Sequence, residues 1–226
     1  MVVITNIYAP NDSTKRMVES FERHGYEVAV NRIPTGNGAI MRGLYECYKR
    51  AATGHEYFIY SDAGDTLCQR NFDGELPKDH LLWSTEKACY PYPDRAALYK
   101  FSGRLKSPWR YLNNGVYGGR LDLVIEFFER YGLNKLHDQA NGQAEAMDAY
   151  LKAYDDGFPI KLDFGCKLFQ SIAFDHDPKR NGHPIHEHGY EGTDFEIVNG
   201  LVRNVSTKST PAILHGNGQT PMNWIL

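Results

Sequence analysis

The first 65 residues alternate between two hydrophobic periodicities. Val2-Val3-Ile4-Thr5-Asn6-Ile7-Tyr8 is a continuous, largely β-branched run, the pattern of a strand buried on both faces. Pro10-Asn11-Asp12-Ser13 ends it and offers an N-cap. From Thr14 to His24 the apolar residues Met17, Val18 and Phe21 fall at helical spacing, and Gly25 closes the element. Tyr26–Val30 predicts a second strand. Ala39–Ala52 predicts a second helix with Ile40, Leu44 and Cys47 on one face, and Tyr57–Tyr60 a third strand. Strand, helix, strand, helix, strand predicts parallel β-α-β units: an α/β fold with a mostly parallel central sheet flanked by helices. Ligands in such folds bind beyond the carboxyl ends of the strands, and the third strand delivers Asp62 and Asp65 there.

Past Asp65 the pattern becomes mixed. Leu81-Leu82-Trp83-Ser84 predicts a fourth strand, residues 90–110 are irregular, and Tyr111–Tyr117 predicts a short strand. Helices are expected over Asp122–Tyr131 and Ala144–Tyr154, strands at Ile160–Phe164 and Ala212–Leu214, and a loop from His176 to Tyr190. With no internal repeat or low-complexity stretch in 226 residues, one domain is expected.

Composition narrows the function classes. Hydrophobic residues at 42% and charged residues at 23% fit a globular chain with a substantial core, where most of the 15 tyrosines should pack. A net charge of −3 supplies no global field for nucleic acid, so such affinity would need a local patch. Cys47, Cys68, Cys89 and Cys166 form no CxxC pair and no zinc spacing, as expected of reduced thiols. The N-terminus lacks a secretory-signal pattern and no apolar run nears the roughly 18 residues of a membrane span, so a cytoplasmic location is expected.

Candidate chemistry sits in four segments. Asp62 and Asp65, joined by His215 in Leu214-His215-Gly216-Asn217-Gly218, offer two carboxylates and an imidazole. That donor set suits a manganese or magnesium ion carrying a diphosphate. Asn113-Asn114-Gly115 provides amides for sugar hydroxyls, or a plain Asn-Gly hairpin. Lys100, Arg104, Lys106 and Arg110 interleave with Tyr99, Phe101 and Trp109. This is either a nucleic-acid patch or a solvated loop with core-anchoring aromatics. His183, His186 and His188 lie in a Gly- and Pro-rich stretch that reads as a loop rather than a zinc site.

These landmarks occur in a recognisable order. Phe58-Ile59-Tyr60-Ser61-Asp62-Ala63-Gly64-Asp65, Trp83-Ser84-Thr85-Glu86 before Tyr90-Pro91, and Tyr111-Leu112-Asn113-Asn114-Gly115-Val116-Tyr117-Gly118 come first. Leu162-Asp163 with Leu168-Phe169-Gln170 follows, and Pro211-Ala212-Ile213-Leu214-His215-Gly216-Asn217-Gly218 ends the series. The set resembles the glycosyltransferase domain of procollagen lysyl hydroxylases and, more loosely, the procollagen galactosyltransferases, here as a small stand-alone enzyme of bacterial or phage type. The resemblance implies a GT-A (Rossmann-like) fold over residues 1–226, with a nucleotide-binding half (1–66) and a sugar- and acceptor-binding half (67–226). It implies a UDP-sugar donor and Mn2+ (or Mg2+) on Asp62, Asp65 and His215, with Gly216, Asn217 and Gly218 by the diphosphate and Gln170 near the sugar. Two positions depart from the family pattern. Ala63-Gly64 stands where the family has an aromatic against the uracil, and Asn141-Gly142 stands where it has an acidic pair before Gln143.

The expected reaction is transfer of a hexosyl or pentosyl group to a hydroxyl, with Asp163, then Asp138 or Glu145, as candidate bases. For a small free-standing enzyme of this kind, in the host cytoplasm if viral, the basic segment points to hydroxymethylated pyrimidines in DNA as acceptor. A protein or surface-glycan hydroxyl is the rival acceptor. A non-catalytic nucleotide-binding module and a nucleotide-sugar hydrolase are the rival classes.

Overall fold

The computed structural model describes residues 1–7, 11–32, 37–99, 107–172, 194–217 and 222. The first half follows the predicted alternation. β1 (Val2–Ile7), α1 (Asp12–Glu22), β2 (Glu27–Arg32), α2 (Asn37–Ala51) and β3 (Tyr57–Ser61) come in order. Asn11 caps α1: its side-chain oxygen accepts from the Thr14 backbone N–H at 2.8 Å and from the Thr14 hydroxyl at 3.0 Å. After β4 (Thr66–Cys68) and β5 (Leu81–Glu86) come β6 (Tyr111–Arg120), α3 (Leu121–Arg130) and α4 (Gly142–Asp155). β7 (Ile160–Leu162), β8 (Phe169–Ile172), β9 (Phe195–Val198), β10 (Leu201–Asn204) and β11 (Ile213–Gly216) complete the series.

Six strands form the main sheet in the order β2-β1-β3-β6-β5-β7. β2, β1 and β3 pair in parallel, as do β5 and β7, while β6 runs antiparallel to both its neighbours. The sheet is therefore mostly parallel, with one reversed strand in the middle. This is a mixed α/β arrangement of the GT-A kind. A second sheet, β4-β11-β8, and a β9–β10 hairpin were not expected from the sequence, because strands of three or four residues are too short to show a period.

Strand alternation sends residues to two cores. Val2, Ile4, Phe58 and Tyr60 face Leu44 and Tyr48 of α2, Phe127 of α3 and Met147 of α4. Val3 and Ile59 face Met17 and Phe21 of α1. The aromatic excess is largely internal. Trp83 stacks on Tyr117 with centroids 4.1 Å apart, and the Tyr117 and Tyr48 hydroxyls lie 2.6 Å apart. All four cysteines are free thiols and buried. Among the described residues no helix is long and apolar enough to cross a membrane.

Candidate active site

Chain topology brings the metal candidates together. Asp62 follows β3 directly, Asp65 precedes β4, and β4 pairs antiparallel with β11, so that Thr66 lies opposite His215. Backbone bonds lock the corner: the Asp62 N–H donates to the Gly115 carbonyl at 2.8 Å and the Gly216 N–H to the Asp65 carbonyl at 2.6 Å. One ligand atom from each of Asp62, Asp65 and His215 fits within 4.8 Å of the other two. The Nε2 of His215 stands 3.7 Å from a carboxylate oxygen of each aspartate.

The histidine is held from behind. Its Nδ1 lies 2.9 Å from Oδ1 of Asn113, an oxygen that also accepts from the Gly115 N–H at 3.0 Å. An acceptor there requires Nδ1 to carry the proton, which leaves the Nε2 lone pair aimed at the carboxylates. The chain continues outward. Asn113 Nδ2 donates to Asn217 Oδ1 at 3.1 Å, and Asn217 Nδ2 donates to Glu86 Oε2 at 3.0 Å.

The donor set fits a divalent cation. Oδ1 of Asp65 is buried and has no hydrogen-bond partner among the described residues, an arrangement that is costly unless a cation completes it. Enclosure in the cavity, and then the Asp65 carboxylate, push the Asp62 carboxyl up to about 6, against the pull of His215 and of the Tyr60 hydroxyl bonded to it. Burial would lower His215, yet Asp65, Asp62 and Glu86 together raise it above the usual histidine range. Two oxygens and one imidazole nitrogen suit manganese somewhat better than magnesium.

The triad opens into a cavity of about 740 Å³ at the carboxyl ends of β1 and β3. Asn113, Asn114 and Gly115 line it from inside β6, so they form a floor and not a hairpin turn. Gln143, at the start of α4, fixes that floor. Its Oε1 accepts from the Asn114 N–H at 2.8 Å, and its Nε2 donates to the Leu112 carbonyl at 2.7 Å and to Glu86 at 3.2 Å. Asn141 caps α4 and lines the same wall with Gly142, so no carboxylate stands at this departure from the family pattern.

Glu86 is a further candidate site residue that the sequence did not single out. It ends β5, is 5% exposed, lines the cavity, and burial pushes its carboxyl up to about 8 against the influence of His215 and Asn113. Its position at a strand end next to the conspicuous Tyr90-Pro91 was the available signal.

The three candidate bases lie elsewhere. The Asp163 carboxylate accepts from the backbone N–H groups of Lys167, Leu168 and Phe169 at 2.8–3.0 Å. It is buried, staples the turn into β8 and does not line the cavity, so it does not face an acceptor hydroxyl there. Asp138 is exposed and paired with Arg42, and Glu145 lies on α4; neither lines the cavity. Gln170 is also structural: its Oε1 accepts from Asn204 at 2.6 Å and its Nε2 donates to the Ser171 carbonyl at 2.8 Å. Gly216 is buried in β11 beside the triad, and Gly218 lies outside the described residues, as do His183, His186 and His188.

Lys100, Arg104, Lys106 and Phe101 of the basic segment are likewise outside the described residues. Arg110 is tied to the Ser107 carbonyl at 3.0 Å, and Tyr99 and Trp109 are buried. Those two aromatics anchor the core and are not stacking platforms.

Comparison with known proteins now decides the lineage. The profile of the PLOD GT domain matches residues 57–224, most of the chain and all of the triad. This chain belongs to that glycosyltransferase family. Over 168 residues, 71% of the chain, it is 26% identical to procollagen-lysine,2-oxoglutarate 5-dioxygenase of Drosophila melanogaster. It spans about a fifth of that relative, the matched region covering 21% of its length.

Proposed function

We propose that this glycosyltransferase-family chain moves a hexosyl or pentosyl group from a UDP-sugar to a hydroxyl acceptor, using Mn2+ (or Mg2+) held by Asp62, Asp65 and His215. The observation that carries the reading is the convergence of these three groups around an unpartnered, buried Asp65 oxygen at the mouth of the cavity. When bound, the ion neutralises charge developing on the leaving diphosphate. The protein's own groups do the rest. Asn113 fixes the histidine tautomer, and Gln143 rigidifies the amide floor on which sugar hydroxyls find donors and acceptors. Glu86 is the cavity's described carboxylate outside the triad, and we assign it the proton of the acceptor hydroxyl in place of Asp163, Asp138 and Glu145. Asn217 lines the cavity with an amide held in place by Asn113 and Glu86, and we assign it a place beside the diphosphate. In this reading residues 1–66 bind the nucleotide and the remainder shapes the sugar and acceptor side.

The acceptor proposed is a hydroxymethylated pyrimidine in DNA, drawn to Lys100, Arg104, Lys106 and Arg110. With Tyr99 and Trp109 in the core, any contact would rest on charge more than on stacking by these two rings. The test is UDP release from a panel of UDP-sugars with Mn2+, with and without hydroxymethylcytosine-containing DNA, for wild type and Asp65→Ala. Manganese-dependent release lost in the variant supports the transferase site, and stimulation by modified DNA supports the acceptor. Folded protein that releases UDP from no donor contradicts the proposal.

A further inference from the structure

The two ends of the cavity differ in chemistry. Toward β6 and β5 it is lined by Asn113, Asn114, Gln143 and Glu86, a wall of hydrogen-bonding groups suited to a sugar. Toward β1 it is lined by Ile7, Ile40, Met41 and Ala63, with the polar groups of Asn6, Asn11 and Thr14 beside them. The Asn11 oxygen is engaged in capping α1 on Thr14, which leaves the Asn6 amide among apolar walls of the kind a flat heterocycle requires.

The Asn6 side chain is placed by the sheet. Strand alternation puts Asn6 on the same face as Val2 and Ile4, whose partners across β3 are Phe58 and Tyr60. Asn6 stands two residues beyond Ile4 on β1, and Asp62 two residues beyond Tyr60, just past the end of β3. On the other side Asn6 is in register with Asn31 of β2. The row Asn31, Asn6, Asp62 thus runs along the strand ends away from the metal candidates.

The Asn6 amide is also oriented. Asn31 Nδ2 donates to Asn6 Oδ1 at 2.9 Å, which engages the carbonyl and turns the amino group the other way. Asn6 is 9% exposed, and its Nδ2 is buried without a hydrogen-bond partner among the described residues. A buried amide with both hydrogens unused, at the edge of a cavity, is costly unless a ligand oxygen meets it.

We infer that Asn6, held by Asn31, is the specificity residue for the base of the donor nucleotide: it donates to the carbonyl at the pyrimidine 4-position, where cytosine carries an amine, and so selects an oxo base over an amino base there. The inference rests on the proposed nucleotide-sugar reading and assigns the far end of the same site. With the diphosphate at Asp62 and Asp65, the nucleoside extends along the row toward β1, and its base lies between Ile40, Met41 and Ala63. Uracil and cytosine have nearly the same shape but present a carbonyl and an amine at the same ring position. A locked donor favours the first and rejects the second, because two opposed amino groups leave both unsatisfied.

The test is Mn2+-dependent binding of UDP, CDP, GDP and inorganic pyrophosphate, measured by calorimetry on wild type, Asn6→Ala and Asn31→Ala. Wild type is expected to hold UDP roughly tenfold or more tighter than CDP. Asn6→Ala should bring that ratio close to one while leaving pyrophosphate affinity unchanged. Asn31→Ala, at a strand edge where folding is not threatened, should narrow the ratio by freeing the amide to rotate. GDP separates the two oxo bases: binding as tight as UDP marks a carbonyl reader without a size limit, and weaker binding marks a pyrimidine site. A UDP-to-CDP ratio unchanged in both variants overturns the inference. Pyrophosphate binding with no preference among nucleotides also overturns it and leaves the metal–diphosphate reading standing, whereas no binding of any of the four overturns both.

Discussion

The imidazole of His215 lies against the backbone of Gly115 so closely that a Cβ at residue 115 would fall 2.0 Å from Cε1. No real side chain tolerates that approach. The glycine is a seat for the ring, and the neighbouring Asn113 fixes the ring's tautomer from the same strand. This pairing explains why an Asn-rich, Gly-containing stretch occurs inside a strand, where glycine is otherwise unfavourable.

Gly115→Ala is therefore expected to push the ring off its site and cut metal affinity by a factor on the order of 100, with the fold retained. Manganese titration and a thermal melt on the same sample check it. Unchanged metal affinity would show that His215 is not held as described.

Asn113→Leu removes the acceptor that keeps the proton on Nδ1. Metal affinity should fall by about 10- to 100-fold, and the loss should be smaller at lower pH, where the weaker proton competition at a less basic Nε2 offsets part of it. Metal titration across pH 6 to 8 tests this. An equal loss at every pH would point to simple disruption of the floor instead.

Glu86 gives the metal-free protein a distinctive pH response. Its folded-state carboxyl titrates at about 8, above its ordinary 4.5, so the folded chain holds a proton that the unfolded chain releases. Its stability contribution is full below pH 4.5 and is lost as pH rises toward 8 and beyond. Asp62, raised from 3.8 to about 6, adds a loss of the same sign over a lower window. Glu86→Gln should flatten the upper part of this curve and be more stable than wild type at pH 8.5 by on the order of 1–3 kcal/mol. Denaturant midpoints at several pH values in the presence of a chelator provide the measurement.

Asp163→Ala leaves three buried backbone N–H groups unsatisfied. A destabilisation of roughly 2–4 kcal/mol is expected, with the turnover per folded molecule retained. Loss of turnover in protein shown to be folded would restore Asp163 as a base.

Much of the front half of this structure was legible in the sequence. The β-branched run of β1 and the apolar spacing of α1 and α2 carry a period long enough to read, and Pro10-Asn11-Asp12-Ser13 marked the helix start that Asn11 caps. Asp62 then follows from its place at the end of a buried strand. The back half was less legible because β4, β8 and β11 hold three or four residues each. Their pairing, which brings Asp65 to His215, has no period of its own: the residue types suggested one donor set, but not the strands that join it. Asp163 and Gln170 misled because a sequence shows a carboxylate or an amide but not the backbone donors and acceptors that occupy it. Glu86 and Asn6 were hidden for the opposite reason. Each sits in an otherwise ordinary strand, and only the structure shows that it lines the cavity.

The central claim is that Asp62, Asp65 and His215 form one metal site. The most direct measurement is Mn2+ affinity by electron paramagnetic resonance, with and without UDP, for wild type, Asp65→Asn and His215→Ala. The account expects one tight ion in wild type, tightened further by UDP, and a loss of at least roughly tenfold in each variant. Equal affinity in wild type and both variants would contradict it.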